Sequence, residues 1–250
     1  MQMLRSILDI KGYTIGARDG HIGHCSDFLF DDTNWTVRYI VADTRKWLPG
    51  RKVLISPIAI DDINAIKRSL NVHLVREQVE TSPPLDTDAP VSRQYEIAYN
   101  RHYRWEHYWD GESVWGAYQL PRPLSLSAGE KTPPVAVDNA PNLRSTKEVA
   151  GYHVQAIDKD IGHIEDFIMD QDSWIIRYLV IDTSNWLPGS RKVLVPPDWA
   201  ERVDWSRRKV LVNQTSEQIR SSPRYDPTFP VNRKLKVTLY DFYGKPYYWQ

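Results

Sequence analysis

The chain has 250 residues, 41% of them hydrophobic and 26% charged, an ordinary globular composition with apolar content for a sizeable core, in one large domain or two small ones. Its 32 basic and 32 acidic residues cancel, so composition gives no support to a nucleic-acid binder, which carries a basic excess to neutralise phosphates. The lone Cys25 excludes an internal disulfide and fits a reducing cytoplasm.

The N-terminus, MQMLRSILDIKGY, has no apolar core of signal-peptide length. No stretch reaches the roughly 18–20 apolar residues of a membrane helix. The expectation is a soluble cytoplasmic protein without a membrane span.

In chain order, LRS at 4–6 returns at 143–145, and Gly12-Tyr13 returns as Gly151-Tyr152. IGHCSDF at 22–28 returns as IGHIEDF at 161–167. WTVRYIVADTRKWLPG at 35–50 returns as WIIRYLVIDTSNWLPG at 174–189, and RKVL at 51–54 returns at 191–194 after one inserted residue, Ser190. Glu77-Gln78, Ser82-Pro83 and Tyr108-Trp109 return as Glu217-Gln218, Ser222-Pro223 and Tyr248-Trp249. The chain is a tandem duplication, and the repeat sets its organisation. The predicted domains are residues 1–120, a linker over 121–142 and residues 143–250. Prolines 121, 123, 133, 134 and 141 mark the linker, because proline removes backbone donors and favours extended chain.

Within each copy the pattern is β. RDGHIG at 18–23 signals a tight hairpin, and DKDIG at 158–162 is a weaker version of it. Trp35, Val37, Tyr39 and Val41 alternate on one face, with Ile40 and Ala42 on the other. Trp174, Ile176, Tyr178 and Val180 repeat this against Ile175, Leu179 and Ile181. Apolar residues on both faces predict a strand covered on both sides. WLPG punctuates a turn, RKVL is a strand stopped by proline, and Leu70, Val72 and Leu74 alternate again. REQVETSP and SEQIRSSP predict a single helical turn. Short strands with frequent turns suggest a small barrel or compact sheet. Each copy ends in an aromatic arm: Tyr95, Tyr99, Tyr103, Trp105, Tyr108 and Trp109, then Tyr240, Phe242, Tyr243, Tyr247, Tyr248 and Trp249. So much aromatic surface exceeds what a short β core is expected to bury, so the arms are expected to reach the other module or a second chain.

These motifs resemble the PRC-barrel family, the barrel module of the photosynthetic reaction centre H subunit; a related barrel occurs in a bacterial ribosome-maturation factor. The resemblance covers both copies. It implies a mainly β fold of two PRC-barrel-like modules with short helical turns and aromatic C-terminal arms. It carries function only by analogy, because one fold hosts many functions.

Among candidate sites, His21, His24 and Cys25 form the tightest metal-ligand-like cluster. Only His24 recurs, as His163, and three or four converging donors are the usual requirement; no metal and no cofactor are expected. Asp27 and Asp166 occupy one module position, and Asp43 and Asp182 another. The last two end a strand before a turn, where bonding to turn amides accounts for them better than acid–base chemistry. No catalytic residue is assigned: nucleotide loops, nucleophile elbows and zinc-protease helices are missing from the sequence. Arg38 and Arg177 lie mid-strand among apolar residues. A buried guanidinium needs a partner, expected to be Asp27 or Asp43, and Asp166 or Asp182. Arg51-Lys52, Arg191-Lys192, Arg93 and Arg233 could form basic patches beside aromatics, of the kind that stacks on RNA, though a solvated strand face accounts for them more simply.

The sequence reading is a non-enzymatic protein-interaction or scaffold protein, with an RNA- or ribosome-associated accessory factor as the alternative. Structural or interaction candidates are Asp27, Arg38, Asp43, Trp47, Asp166, Arg177, Asp182, Trp186, Tyr108, Trp109, Tyr248 and Trp249. The partner is expected to be a protein, with module pairing inside the chain or a homodimer as the favoured assembly and RNA not favoured.

Overall fold

A computed structural model describes residues 3–44, 48, 51–85, 90–122, 143–183 and 191–249. Trp47, Trp186, most of the WLPG turns and linker residues 123–142 lie outside the described residues. The first repeat runs β1 (Leu4–Ser6), α1 (Ile7–Ile10), β2 (Thr14–Ala17), β3 (Gly20–Asp31), β4 (Val37–Asp43), β5 (Lys52–Ile55), β6 (Ile60–Asn64), β7 (Ser69–Val72), α2 (Arg76–Glu80) and α3 (Arg93–Tyr103). The second runs β8 (Leu143–Ser145), α4 (Thr146–Val149), β9 (His153–Gln155), β10 (Asp160–Asp170), β11 (Ile176–Asp182), β12 (Lys192–Val195), β13 (Ala200–Asp204), β14 (Lys209–Val212), α5 (Ser216–Ser221), β15 (Arg224–Tyr225) and α6 (Arg233–Tyr243).

The fold is mainly β, in two sheets, as expected; neither sheet is a closed barrel among the described residues. One sheet has the order β5-β4-β3-β2-β7-β6, and the other β13-β14-β9-β10-β11-β12-β15. In each, the long hairpin is the spine: β3 and β4 pair in antiparallel register, as do β10 and β11. The Asp-Gly signal is realised as a turn at Arg18-Asp19 between β2 and β3. Every residue from Val37 to Ala42 is buried, so β4 is covered on both faces, as its apolar pattern requires. Trp35 and Trp174 are buried as well. They sit in the hairpin turns, each with a positive φ, at 52° and 62°, so they precede the alternating strand.

The first strand of each repeat does not join its own repeat's sheet. β1 pairs with β10, Leu4 opposite Asp170 and Ser6 opposite Ile168. β8 pairs with β3, Leu143 opposite Asp31 and Ser145 opposite Leu29. The chain accordingly divides into two compact units: residues 1–8, 147–171 and 176–250, and residues 9–146 with 172–175. The predicted modules were contiguous. Pattern reading sees a strand's alternation but not the identity of the strand beside it.

The recurring motifs are the parts of this exchange. In the unit that holds the second repeat, Asp166 accepts hydrogen bonds from Ser6 Oγ at 2.5 Å and the Leu8 amide at 2.9 Å. In the other, Asp27 accepts from Ser145 Oγ at 2.5 Å and Thr146 Oγ1 at 2.8 Å. The Asp of the Asp-Phe motif therefore holds the Ser of the LRS motif. Gly12 and Gly151, at φ +84° and +92°, close the short helix that follows, where a side chain would be strained. Gly162 has a separate reason. A Cβ there would meet the Asp182 carbonyl oxygen at 2.1 Å, and one at Gly23 would meet that of Asp43 at 2.2 Å, so the hairpin strands approach too closely for any side chain.

Replacing Asp166 with Ala strands the Ser6 hydroxyl and the Leu8 amide. Urea unfolding of Asp166→Ala is expected to show a loss of about 1–3 kcal/mol, and hydrogen exchange is expected to show the amides of residues 4–8 losing protection first. An unchanged exchange pattern would mean that the carboxylate does not hold the exchanged strand.

Candidate functional site

The aromatic arms are the least strand-like part of each repeat. In the first, Ser92 Oγ accepts from the Tyr95 amide and starts α3, the usual role of an N-cap serine. Asn232 does the same for α6 through the Leu235 amide. The helices end at Arg104 and Gly244, both left-handed. The spacing of Tyr95, Tyr99 and Tyr103, four residues apart, was a helical signal that the expectation of arms reaching a neighbour passed over.

The helices of the arms cover their own repeats, while Trp115, beyond the first helix, donates to the Ser173 carbonyl of the other repeat. Tyr99 donates to the Leu54 carbonyl at 3.1 Å, accepts from the Ser56 amide at 3.0 Å and meets the Tyr39 ring edge-on at 5.2 Å. In the second repeat Trp199 meets Tyr240 and Tyr243, with centroids at 5.5 and 4.6 Å. The physical reason is the width of the sheet: both faces of β4 and β11 need cover, and a helix laid across one face supplies it.

Under each arm lies the mid-strand arginine. Arg38 Nε donates to Asp31 at 2.7 Å and Nη1 to the Val114 carbonyl at 2.6 Å. Its guanidinium stacks on Tyr108 at 3.8 Å and Trp115 at 4.8 Å. Beside it Glu96 pairs with Arg93 at 2.9 Å and accepts from the hydroxyls of Tyr39 at 3.1 Å and Tyr108 at 3.0 Å. Arg93 in turn lies 3.7 Å over the Trp109 ring. Burial pushes the Glu96 carboxyl above the ordinary carboxylate range, against the pull of Arg93 and the two phenols. In the second repeat Arg177 lies 3.6 Å from Asp170 and 4.5 Å over Tyr248. The Lys236 ammonium lies 4.7 Å over Trp249.

Arg38, Tyr108 and Trp109 are thus brought together, as are Arg177, Tyr248 and Trp249. The arginine partners differ from expectation: Asp31 and Asp170 replace Asp27 or Asp43, and Asp166 or Asp182. Register explains it. Asp27 lies opposite Val41, and Asp43 opposite His24, three to five residues along β4 from Arg38, or roughly 10–17 Å at about 3.3 Å per residue. Asp43 and Asp182 stand at strand ends, opposite Lys52 and Lys192. Next to them the Thr44 and Thr183 hydroxyls donate to the Arg51 and Arg191 carbonyls. Sequence reasoning missed Asp31, Glu96 and Trp115; the first was legible as the last residue before a hairpin turn.

His21 and His24 meet edge-on at 5.2 Å, and Cys25 is buried. No group of three His, Cys, Asp or Glu side chains is placed to hold a metal among the described residues. A small pocket beside the first cluster is lined by Ile58, Glu106, His107, Tyr108, Trp115, Tyr118 and Arg122, and His107 contacts Asp110 at 2.9 Å.

The two arginines differ in exposure. The Arg38 side chain is 1% exposed and that of Arg177 23%. Asp31→Ala is therefore expected to cost about 3–5 kcal/mol in chemical unfolding, the range for breaking a buried ion pair. Asp170→Ala is expected to cost less than half as much. Equal losses would mean that the two pairs are equally desolvated.

No helix among the described residues is long and apolar enough to cross a membrane. A search of curated proteins finds no match to the chain. The family comparison is positive: residues 142–219, which span the second repeat from its exchanged strand to α5, match the family model of the PRC-barrel domain.

Proposed function

We propose that the chain is a non-enzymatic protein-interaction or scaffold protein built from two PRC-barrel-like modules, resembling the cytoplasmic barrel of the photosynthetic reaction centre H subunit. The observation that carries this reading is the PRC-barrel match over 142–219, together with the return of its motifs over residues 4–83. Apart from β15, the same elements recur in the same order in both repeats, which supports a second module of this kind in the first repeat. The single cysteine supports a cytoplasmic setting.

Three of the six basic residues weighed as RNA contacts have structural work. Arg51 donates to the Glu80 and Ser82 carbonyls, Lys192 pairs with Glu165, and Arg93 is buried under Trp109. Apolar side chains that face solvent, among them Phe229 and Phe242, suit a protein partner better. The full chain, tagged and passed through native extract, is expected to retain a stoichiometric protein that Phe229→Ser/Phe242→Ser loses. Retention of RNA instead, released by nuclease and weakening steeply with salt, would replace this reading with that of an RNA-associated factor.

A further inference from the structure

The two arms share a helix of the same length and differ in charge at one buried position. The fourth residue of α3 is Glu96; the fourth residue of α6 is Lys236. Around Glu96 the charges close on themselves, with Arg93 on one oxygen and the hydroxyls of Tyr39 and Tyr108 on the other. The counterparts of those phenols are Tyr178 and Tyr248. Tyr178 is 0% exposed. Its hydroxyl and the Tyr248 hydroxyl are buried and turn to one another and to Tyr240, with no carboxylate accepting from them among the described residues, and Arg177 Nε is buried without an acceptor there. Buried donors of this kind are costly to leave unmet.

The missing element is an acceptor. Tyr178, Tyr240 and Tyr248 crowd together, and burial followed by the nearby Tyr248 and Tyr240 pushes the Tyr178 phenol up. The cations Arg177, Arg233 and Lys236 act on one another there, with Asp170 as the facing carboxylate; burial first, then Arg233, pulls the Lys236 ammonium down. The cluster is also less covered than its twin. The Arg177 side chain is 23% exposed against 1% for Arg38, and residues 247–249 are half-buried.

We propose that Arg177, Lys236, Tyr178 and Tyr248 form a carboxylate-binding site, which takes from a ligand the group that the first repeat supplies internally as Glu96. The carboxylate accepts from both phenol hydroxyls and is held by the guanidinium and the ammonium. Arginine suits this group because its fork matches two carboxylate oxygens. The inference stands apart from the scaffold reading, since a free small carboxylate and an acidic side chain of a protein offer the same chemistry.

The test uses the full chain at constant ionic strength, with chloride exchanged for acetate in one arm and a blocked Gly-Glu-Gly peptide added in the other. Near-ultraviolet circular dichroism of the tyrosines is the readout. A saturable change in either arm is expected. Tighter binding of the peptide assigns the source to a protein side chain, and tighter binding of acetate to a free carboxylate. Lys236→Glu places a carboxylate in the site. It is expected to raise the melting temperature and to weaken the response at least about tenfold, a loss of about 1.4 kcal/mol. Should that variant fail to fold, Tyr248→Phe, which removes one donor, is expected to weaken binding several-fold. No saturable response to either probe overturns the proposal, and so does a response that the folded variants leave unchanged.

Discussion

A guanidinium in the middle of a strand covered on both faces must find acceptors inside the protein, because an unpaired buried charge costs several kcal/mol. That constraint organises much of what surrounds β4. Asp31 meets it first, and the same carboxylate accepts from the Asn34 amide at 2.5 Å to shape the hairpin turn. The turn that sends the chain back is thus tied to the charge that needs burying. Val114, Tyr108 and Trp115 complete the enclosure. The aromatic arm is therefore more than apolar cover: its rings offer π faces to a cation that the strand itself cannot solvate.

A second carboxylate position governs how the sheets are composed. Asp27 and Asp166 each receive hydroxyl donors from a strand that enters from the other repeat. A three-residue strand has few ladder bonds with which to hold itself, and charge-assisted hydrogen bonds add to them. The motif residues LRS, Gly-Tyr and Asp-Phe recur as a set for that reason. Each depends on the others through the exchanged strand and the short helix behind it.

The sequence made the hairpins, the doubly covered strands and the single helical turns legible, because period-two alternation, an Asp-Gly turn and proline stops are local signals. Strand exchange was not legible. The alternation of Leu4 and Ser6 is the same whichever copy they pair with, and only long-range register separates the cases. The arginine partners failed for a related reason. β3 carries register shifts between Cys25 and Asp27 and again between Leu29 and Phe30, and each shift moves side chains relative to the facing strand. The helices α3 and α6 were partly legible, in the four-residue tyrosine spacing and in Ser92 and Asn232 as caps. Sheer aromatic content argued instead for arms seeking a neighbouring surface. Of the candidate site, the Arg–Tyr–Trp association could be listed residue by residue but not assembled, since Arg38 and Tyr108 lie seventy positions apart in the sequence.

Duplication changes what a buried polar cluster can be. A single copy must keep its cluster satisfied, because half-met networks are worse than apolar ones. With two copies, one can stay closed, its carboxylate carried on α3, while the other carries a different residue, and Lys236 is that residue here. Its ammonium lies 4.7 Å over the Trp249 ring, at the helix position where the first repeat has the carboxylate that accepts from both phenols. The structure thus holds a satisfied version of the cluster and an unsatisfied one on the same framework. The first is closed by a carboxylate on α3, and the second carries a lysine at the matching position of α6. Places where a fold departs from a solution it demonstrably possesses are where function is best sought.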